Sequence, residues 1–289
     1  VDKYGISREH FVVEIASNDG YLLQYFKKKE IPILGVEPSE NVARASIEKG
    51  IPTEKVFFGE KTAEKLKEKY AAADVILGNN VLAHVPDIND FIKGLDVMLN
   101  EEGIMTFEFP HLFQLVKNNQ FDTIYHEHFF YYSLIVVESL FKKHGMKIFD
   151  VQQLSTHGGS VRIFVARESN KKFPVNGSVE RALNLEIENG YLDIDFYKSF
   201  GRKVQQLKTE IVTLVEDVKN HGHTLVGYGA PGKGNTLLNY CEIGRDMIDY
   251  TVDRNPSKQG HYLPGSLIPI YHPAKIRETK PDYVFILPW

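Results

Sequence analysis

Apolar runs of four to six residues alternate with helical periods through the first part of the chain. Phe11 to Ala16 is a short apolar run closed by the turn cluster Ser17-Asn18-Asp19-Gly20. The spacing of Leu22, Leu23 and Phe26 then predicts a helix from Tyr21 to Lys29. Ile33 to Val36 reads as a second strand, and Ser39 is a suitable cap for a helix over 41–49 that stops at Gly50. Strands follow at 55–58, 74–77 and 104–109, with helices at 62–70 and 88–99. Strands separated by helices of this length indicate βαβ units and a parallel sheet. Right-handed crossovers place the strand C-terminal ends on one rim, where ligands bind.

The pattern changes after Pro110. Residues 111–132 are rich in aromatics and histidine and show no clean period. A helix is expected from Leu134 to His144. Two further strands, 147–151 and 161–166, flank the glycine-rich turn Thr156 to Ser160. Residues 170–222 are strongly charged and helical in pattern. A second α/β unit then begins with a strand at 223–227, the turn Gly227 to Gly232, a helix at 235–240 and strands at 250–253 and 282–287. The expected organisation is a domain over 1–168, a helical connector over 169–222 and a smaller α/β domain over 223–289. Both ends read as cut, so that last domain is expected to continue beyond Trp289.

Composition narrows the function classes. Lys and Arg number 34 against 38 acidic residues, a net charge of −4, which argues against a general nucleic-acid binder. No apolar run approaches the ~18 residues of a membrane span. Cys241 is the single cysteine, so neither an internal disulfide nor a cysteine-rich zinc site can form, and a cytoplasmic setting is expected. The start carries no signal-peptide pattern.

Two turns are candidate nucleotide sites. Ser17 to Gly20 lies between strand and helix, where backbone N–H groups are free, and Glu37 ends the next strand, where an acidic residue commonly grips a ribose. The turn has one glycine and carries Asp19. A pyrophosphate disfavours a carboxylate there, whereas S-adenosylmethionine (SAM) bears a sulfonium and an ammonium compatible with Glu14 or Asp19; a purely structural turn is the alternative. Gly227-x-Gly229-x-x-Gly232 matches the dinucleotide fingerprint, with Asp253 after the following strand at a longer spacing than usual. With Lys233 beside it, this turn is either a diphosphate cradle or a structural turn.

Tyr125-His126-Glu127-His128 supplies a general base with orienting groups. His84, just past the fourth strand, belongs to the same rim. His126 and His128 with His111, His84 or His157 are also compatible with zinc or iron, and hydrogen-bonded structural histidines are the plainer reading. No metal is expected in this chain.

Val13 to Leu23, Asn79 to His84, Tyr125 to His128, Gly158 to Ser160 and Gly234 to Asn239 together resemble the deoxysugar C-methyltransferase family, from about residue 11 to the C-terminus. The resemblance implies a Rossmann-like SAM-dependent methyltransferase domain followed by a second, smaller Rossmann-like domain. It implies methylation of a carbon in a nucleotide-linked 4-keto-6-deoxyhexose. The family also has an N-terminal zinc-binding domain that contributes a tyrosine near the active site; neither is expected here. By resemblance His128 is the base that forms an enolate, Glu127 orients it, and Tyr125 and His84 lie near the keto oxygen. SAM is expected over the first rim, with Glu37 on the ribose and Ser17, Asn18, Asp19, Gly20 and Asn79 around the methionine end. Lys233 and Asn235 are the expected nucleotide-sugar contacts. A non-catalytic nucleotide- or SAM-binding module and an NAD-dependent oxidoreductase working through Gly227 to Gly232 are the rival readings.

Overall fold

The computed structural model describes residues 2–288, in two compact units. The first comprises the chain up to Gln114 together with His128–Leu192, and the second comprises Leu115–Glu127 together with the chain from Asp193 onward.

The first unit is built on β1 (Val12–Ile15), α1 (Leu23–Lys27), β2 (Ile33–Val36), α2 (Glu40–Glu48), β3 (Thr53–Glu54), α3 (Glu60–Tyr70), β4 (Ala73–Asn79), α4 (Ile88–Met98) and β5 (Leu99–Pro110). After α5 (Leu112–Lys117), which runs across the boundary between the units, come α6 (Leu134–Lys143), β6 (Met146–Leu154), β7 (Ser160–Arg167) and α7 (Gly177–Glu188). The sheet order is β3-β2-β1-β4-β5-β7-β6, parallel except for β7, which runs antiparallel to both neighbours.

The strands are apolar on both faces because helices cover both. Val13 and Ile15 enter one core with Phe91, Phe107 and Phe141, while Val12 enters another with Leu23, Val75 and Phe164. Helix starts are fixed by side chains: Asp87 accepts the Asp90 N–H at α4, Ser133 the Val136 N–H at α6, and Asn176 the Ser178 N–H at α7. The third strand is not the apolar run 55–58, which forms no strand, but Thr53–Glu54 just before it. As an edge strand it pairs only through Thr53 and Glu54 with Gly35 and Val36, and Phe57 is left 81% exposed.

The second unit contains α8 (Ile194–Asn220), β8 (Leu225–Tyr228), α9 (Gly232–Cys241), β9 (Thr251–Val252), β10 (Ile270–Tyr271), α10 (Ala274–Thr279) and β11 (Tyr283–Ile286). Its sheet is all parallel, in the order β10-β9-β8-β11. Residues 169–222 divide between the units, α7 in the first and α8 in the second. Among the described residues no helix is long and apolar enough to cross a membrane.

Candidate active site

In the first sheet the strand order reverses between β1 and β4, and an open α/β sheet binds ligands in the crevice outside the strand ends at such a switch. The turn after β1 is tight despite its single glycine. Ala16 (φ 55°), Asn18 (φ 51°) and Gly20 (φ 74°) all take the left-handed conformation. A Cβ on Gly20 would lie 2.3 Å from Ile51 Cδ1, so that buried side chain would have to shift to admit one. Left-handed non-glycine residues at a rim are stored strain of the kind that collects at functional sites. Asn80, directly after β4, is another, with φ 54°.

Glu37 ends β2 and is buried. Its Oε2 accepts the Asn18 N–H at 3.1 Å and its Oε1 accepts the Ser39 N–H at 2.8 Å. The carboxylate therefore braces two rim turns, and each oxygen retains a further lone pair. Asp19 turns to the surface, where it pairs with Lys49; that ammonium holds its carboxyl below the usual range.

Glu14 is 1% exposed, on the β1 face that carries Val12. Burial pushes its carboxyl up to about 8, and its Oε2 is buried with no hydrogen-bond partner. Ser17 Oγ is also buried and unpartnered. Tyr21 follows the turn. Burial and the neighbouring Glu14 raise its phenol, Asn79, at the end of β4, acts to lower it, and Glu108 adds to the rise. Glu108, at the C-terminal end of β5, accepts the Thr156 hydroxyl at 3.0 Å and Arg162 Nη2 at 2.8 Å. Asn80 Oδ1 is buried and unpartnered. The rim between β1 and β5 is thus lined with acceptors, several unused.

The same rim carries a histidine pair. His84 follows β4, and its ring centroid lies 4.8 Å from that of His128, edge to face. A backbone bond from Phe129 N–H to the Ala83 carbonyl, at 2.8 Å, holds the two segments together. The Tyr131 ring centroid lies 5.4 Å from that of His128. Tyr125, His126 and Glu127 fall in the second unit, where burial first, then Glu127 and Asp122, raise the Tyr125 phenol. His111 is buried against Glu186, and His157 occupies the left-handed turn between β6 and β7. Among the described residues no three His, Cys, Asp or Glu side chains converge to hold a metal ion.

In the second unit Asp253 supports the glycine turn from beneath. Its Oδ2 accepts the Ala230 N–H at 2.7 Å, its Oδ1 accepts the Asn255 N–H at 2.8 Å, and Lys258 Nζ donates to the Ala230 carbonyl at 2.8 Å. Lys233 and Asn235 lie in the first turn of α9. Burial lowers Lys233, while Asp122, on the 3-10 turn packed against α9, raises it. Asn235 Oδ1 is buried and unpartnered.

Against this geometry stand the relatives. A C-methyltransferase C-terminal domain family matches residues 155–289, and a methyltransferase domain family matches residues 6–151. The C-methyltransferase NovU of Streptomyces niveus is 35% identical over 289 residues, 100% of this chain and 69% of that protein. The chain belongs to the C-methyltransferase family. Among solved structures, a SAM-dependent methyltransferase from Anabaena variabilis shares 11% identity at TM-score 0.47, over 57% of this chain and 80% of that one. Magnesium protoporphyrin IX methyltransferase from Synechocystis with bound SAM shares 12% at TM-score 0.44, over 57% and 73%.

For a C-methyltransferase, the rim holds more than the sequence pattern marks. Tyr21, Asn80 and Glu108 line it beside Glu14, Ser17, Asn18, Glu37 and Asn79. Tyr21 and Asn80 lie inside the 13–23 and 79–84 motifs but carry no expected role there, whereas Glu108 lies outside the motifs and only the sheet order brings β5 beside β4.

Proposed function

We propose that this C-methyltransferase transfers a methyl group from SAM to a carbon next to the ketone of a nucleotide-linked 4-keto-deoxysugar. The observation that carries the donor assignment is the unpartnered Glu14 carboxyl at the β1–β4 switch, with Ser17 Oγ equally unused. A buried acceptor without a partner costs free energy unless a ligand completes it, and a cationic ligand suits a carboxylate. Glu14, Ser17 and Asn79 would hold the methionine end. Glu37 and the Asn18 turn would hold the ribose, through lone pairs that the brace leaves over. Bound there, SAM supplies an electrophilic methyl on sulfur.

The histidine pair supports the acceptor assignment. A ketone acidifies its neighbouring C–H bond, and an imidazole is suited to take that proton near neutral pH. His128 would take the proton, and the carbon of the resulting enolate would form a bond to the methyl that SAM supplies as its S–CH3 bond breaks and the neutral thioether leaves; the His84 ring packs edge to face on His128. Tyr125 is assigned as donor to the enolate oxygen and Glu127 as the orienting group. Lys233 and Asn235 are assigned to the diphosphate of the substrate.

The test uses the full-length protein. Incubation with SAM and a panel of nucleotide 4-ketosugars, followed by mass spectrometry, should show a mass gain of one methylene with at least one acceptor. In parallel, SAM should raise the thermal midpoint and NAD should not. Stabilisation by NAD alone, or methylation of none of the panel, contradicts the proposal.

A further inference from the structure

We propose that Glu186 is a positioning residue that closes the neck of the segment carrying the histidine base. The chain leaves the end of β5 at His111 and returns at the start of α6, and the excursion between them bears His128. One carboxylate holds both ends of it. Glu186 is fully buried (0% exposed) in α7. Its Oε1 faces His111 Nε2 at 2.6 Å and accepts the Leu134 N–H at 2.6 Å, and its Oε2 accepts the Ile135 N–H at 2.9 Å. An ionised carboxylate only accepts, so His111 Nε2 donates to it, and His111 Nδ1 is buried without a partner.

The arrangement has a mechanical consequence for His128. The α6 N-terminus presents four N–H groups without intrahelical partners. Glu186 takes those of Leu134 and Ile135, and Ser133 Oγ takes that of Val136, while the Ser133 carbonyl accepts the first intrahelical bond, from Val137. A negative group there also suits the helix dipole. With α6 pinned, the stretch before it is fixed at Tyr132, whose carbonyl accepts the Leu112 N–H at 3.0 Å, and at Phe129, bonded to Ala83. His128 is therefore held facing His84 from an anchor that touches neither ring. The backbone around the anchor is equally tied: His111 N–H donates to Gly159, and Tyr191, next to α7, donates its hydroxyl to Phe113.

This inference rests on the reading that His128 carries the reaction, and the experiment separates the two. In the full-length enzyme, Glu186→Gln replaces one acceptor oxygen with a donor facing N–H groups, and His128→Ala serves as the reference. Displacement of a catalytic group by about 1 Å costs up to about 10²-fold, so Glu186→Gln should lower kcat about 10–100-fold, measured below its melting temperature with the fastest acceptor of the nucleotide 4-ketosugar panel. The SAM Kd, by calorimetry, should stay within about twofold. Amide exchange at Phe129, Leu134 and Ile135 should accelerate. His111→Gln, which keeps a donor toward Glu186, should fall less than Glu186→Gln. If Glu186→Gln turns over at the wild-type rate while His128→Ala is inactive, the positioning role is overturned and the base assignment stands. Loss of SAM affinity in proportion to kcat also overturns it, because the carboxylate would then be a general structural element. Unchanged turnover in His128→Ala overturns the base assignment, and this inference with it.

Discussion

The Glu37 carboxylate accepts the Asn18 N–H at 3.1 Å with one oxygen and binds its own turn at Ser39 with the other. One side chain therefore sets the separation of the two rim turns between which the methyl donor is assigned. Glu37→Ala leaves two N–H groups without their acceptor, at about 1–3 kcal/mol for each that stays buried. Urea denaturation should show that loss, and calorimetry should show weaker SAM binding. Glu37→Gln retains one acceptor and should fall between. Wild-type stability and affinity in the alanine variant would mean that the brace has no influence.

Glu14 makes stability depend on pH in a stated direction. The unfolded chain ionises this carboxyl near 4.5, whereas burial holds its proton in the fold to about 8. Between those values the native state binds more protons than the unfolded state, so stability falls as pH rises. Glu14→Gln should remove that part of the slope in denaturation series from pH 5 to pH 8. A cation bound beside Glu14 favours its ionised form, so SAM binding at pH 7 should release a proton in the wild type and not in Glu14→Gln. Titration calorimetry in buffers of different ionisation enthalpy reads this directly.

Gly20 is favoured by its conformation, and a side chain there would also crowd two neighbouring side chains. Its φ is 74°, and a Cβ would meet Ile51 Cδ1 at 2.3 Å and Ser46 Oγ at 2.8 Å. Gly145 has φ 72° with nothing within 4 Å of its virtual Cβ. Left-handed strain costs about 1–3 kcal/mol, so both alanine variants should lose stability and Gly20→Ala should lose distinctly more. Equal losses in chemical denaturation would remove the packing part of the argument.

Asp253 ties the glycine turn of the second unit. Burial pushes its carboxyl up, but the N–H groups of Asn255 and Ala230 and the Lys258 ammonium more than offset this and hold it below the usual range. Its contribution is present above the unfolded value of 3.8 and is lost as pH falls through the lower folded value. Asp253→Asn should therefore destabilise the protein at pH 6 and differ little from wild type under strong acid. Amide exchange at Ala230 should be faster in the variant at neutral pH.

The alternation of strands and helices was legible because buried strands read as short apolar runs and the helices repeat their apolar positions. The first rim turn was legible as a turn, but not as a left-handed one. Ala16 adopts a φ value that favours glycine, and Asn18, a residue that tolerates that region, is bonded there to Glu37 and to the Ala16 carbonyl. Glu186 was hidden for another reason. It sits in a charged helical stretch that reads as solvated, and its partner His111 is 75 positions away. The departure of residues 115–127 into the second unit was equally hidden, since their packing partner α9 lies far along the chain.

The central claim is that a SAM site and a proton-abstracting imidazole are separate parts of one C-methyltransferase active site. His128→Ala in the full-length enzyme tests it most directly, with methyl transfer followed by mass spectrometry and SAM binding by calorimetry. General-base assistance is worth about 10²–10⁴-fold, so turnover should drop by that order while the SAM Kd stays within about twofold. Wild-type turnover, or a SAM Kd that rises in step with the loss of turnover, would contradict the account.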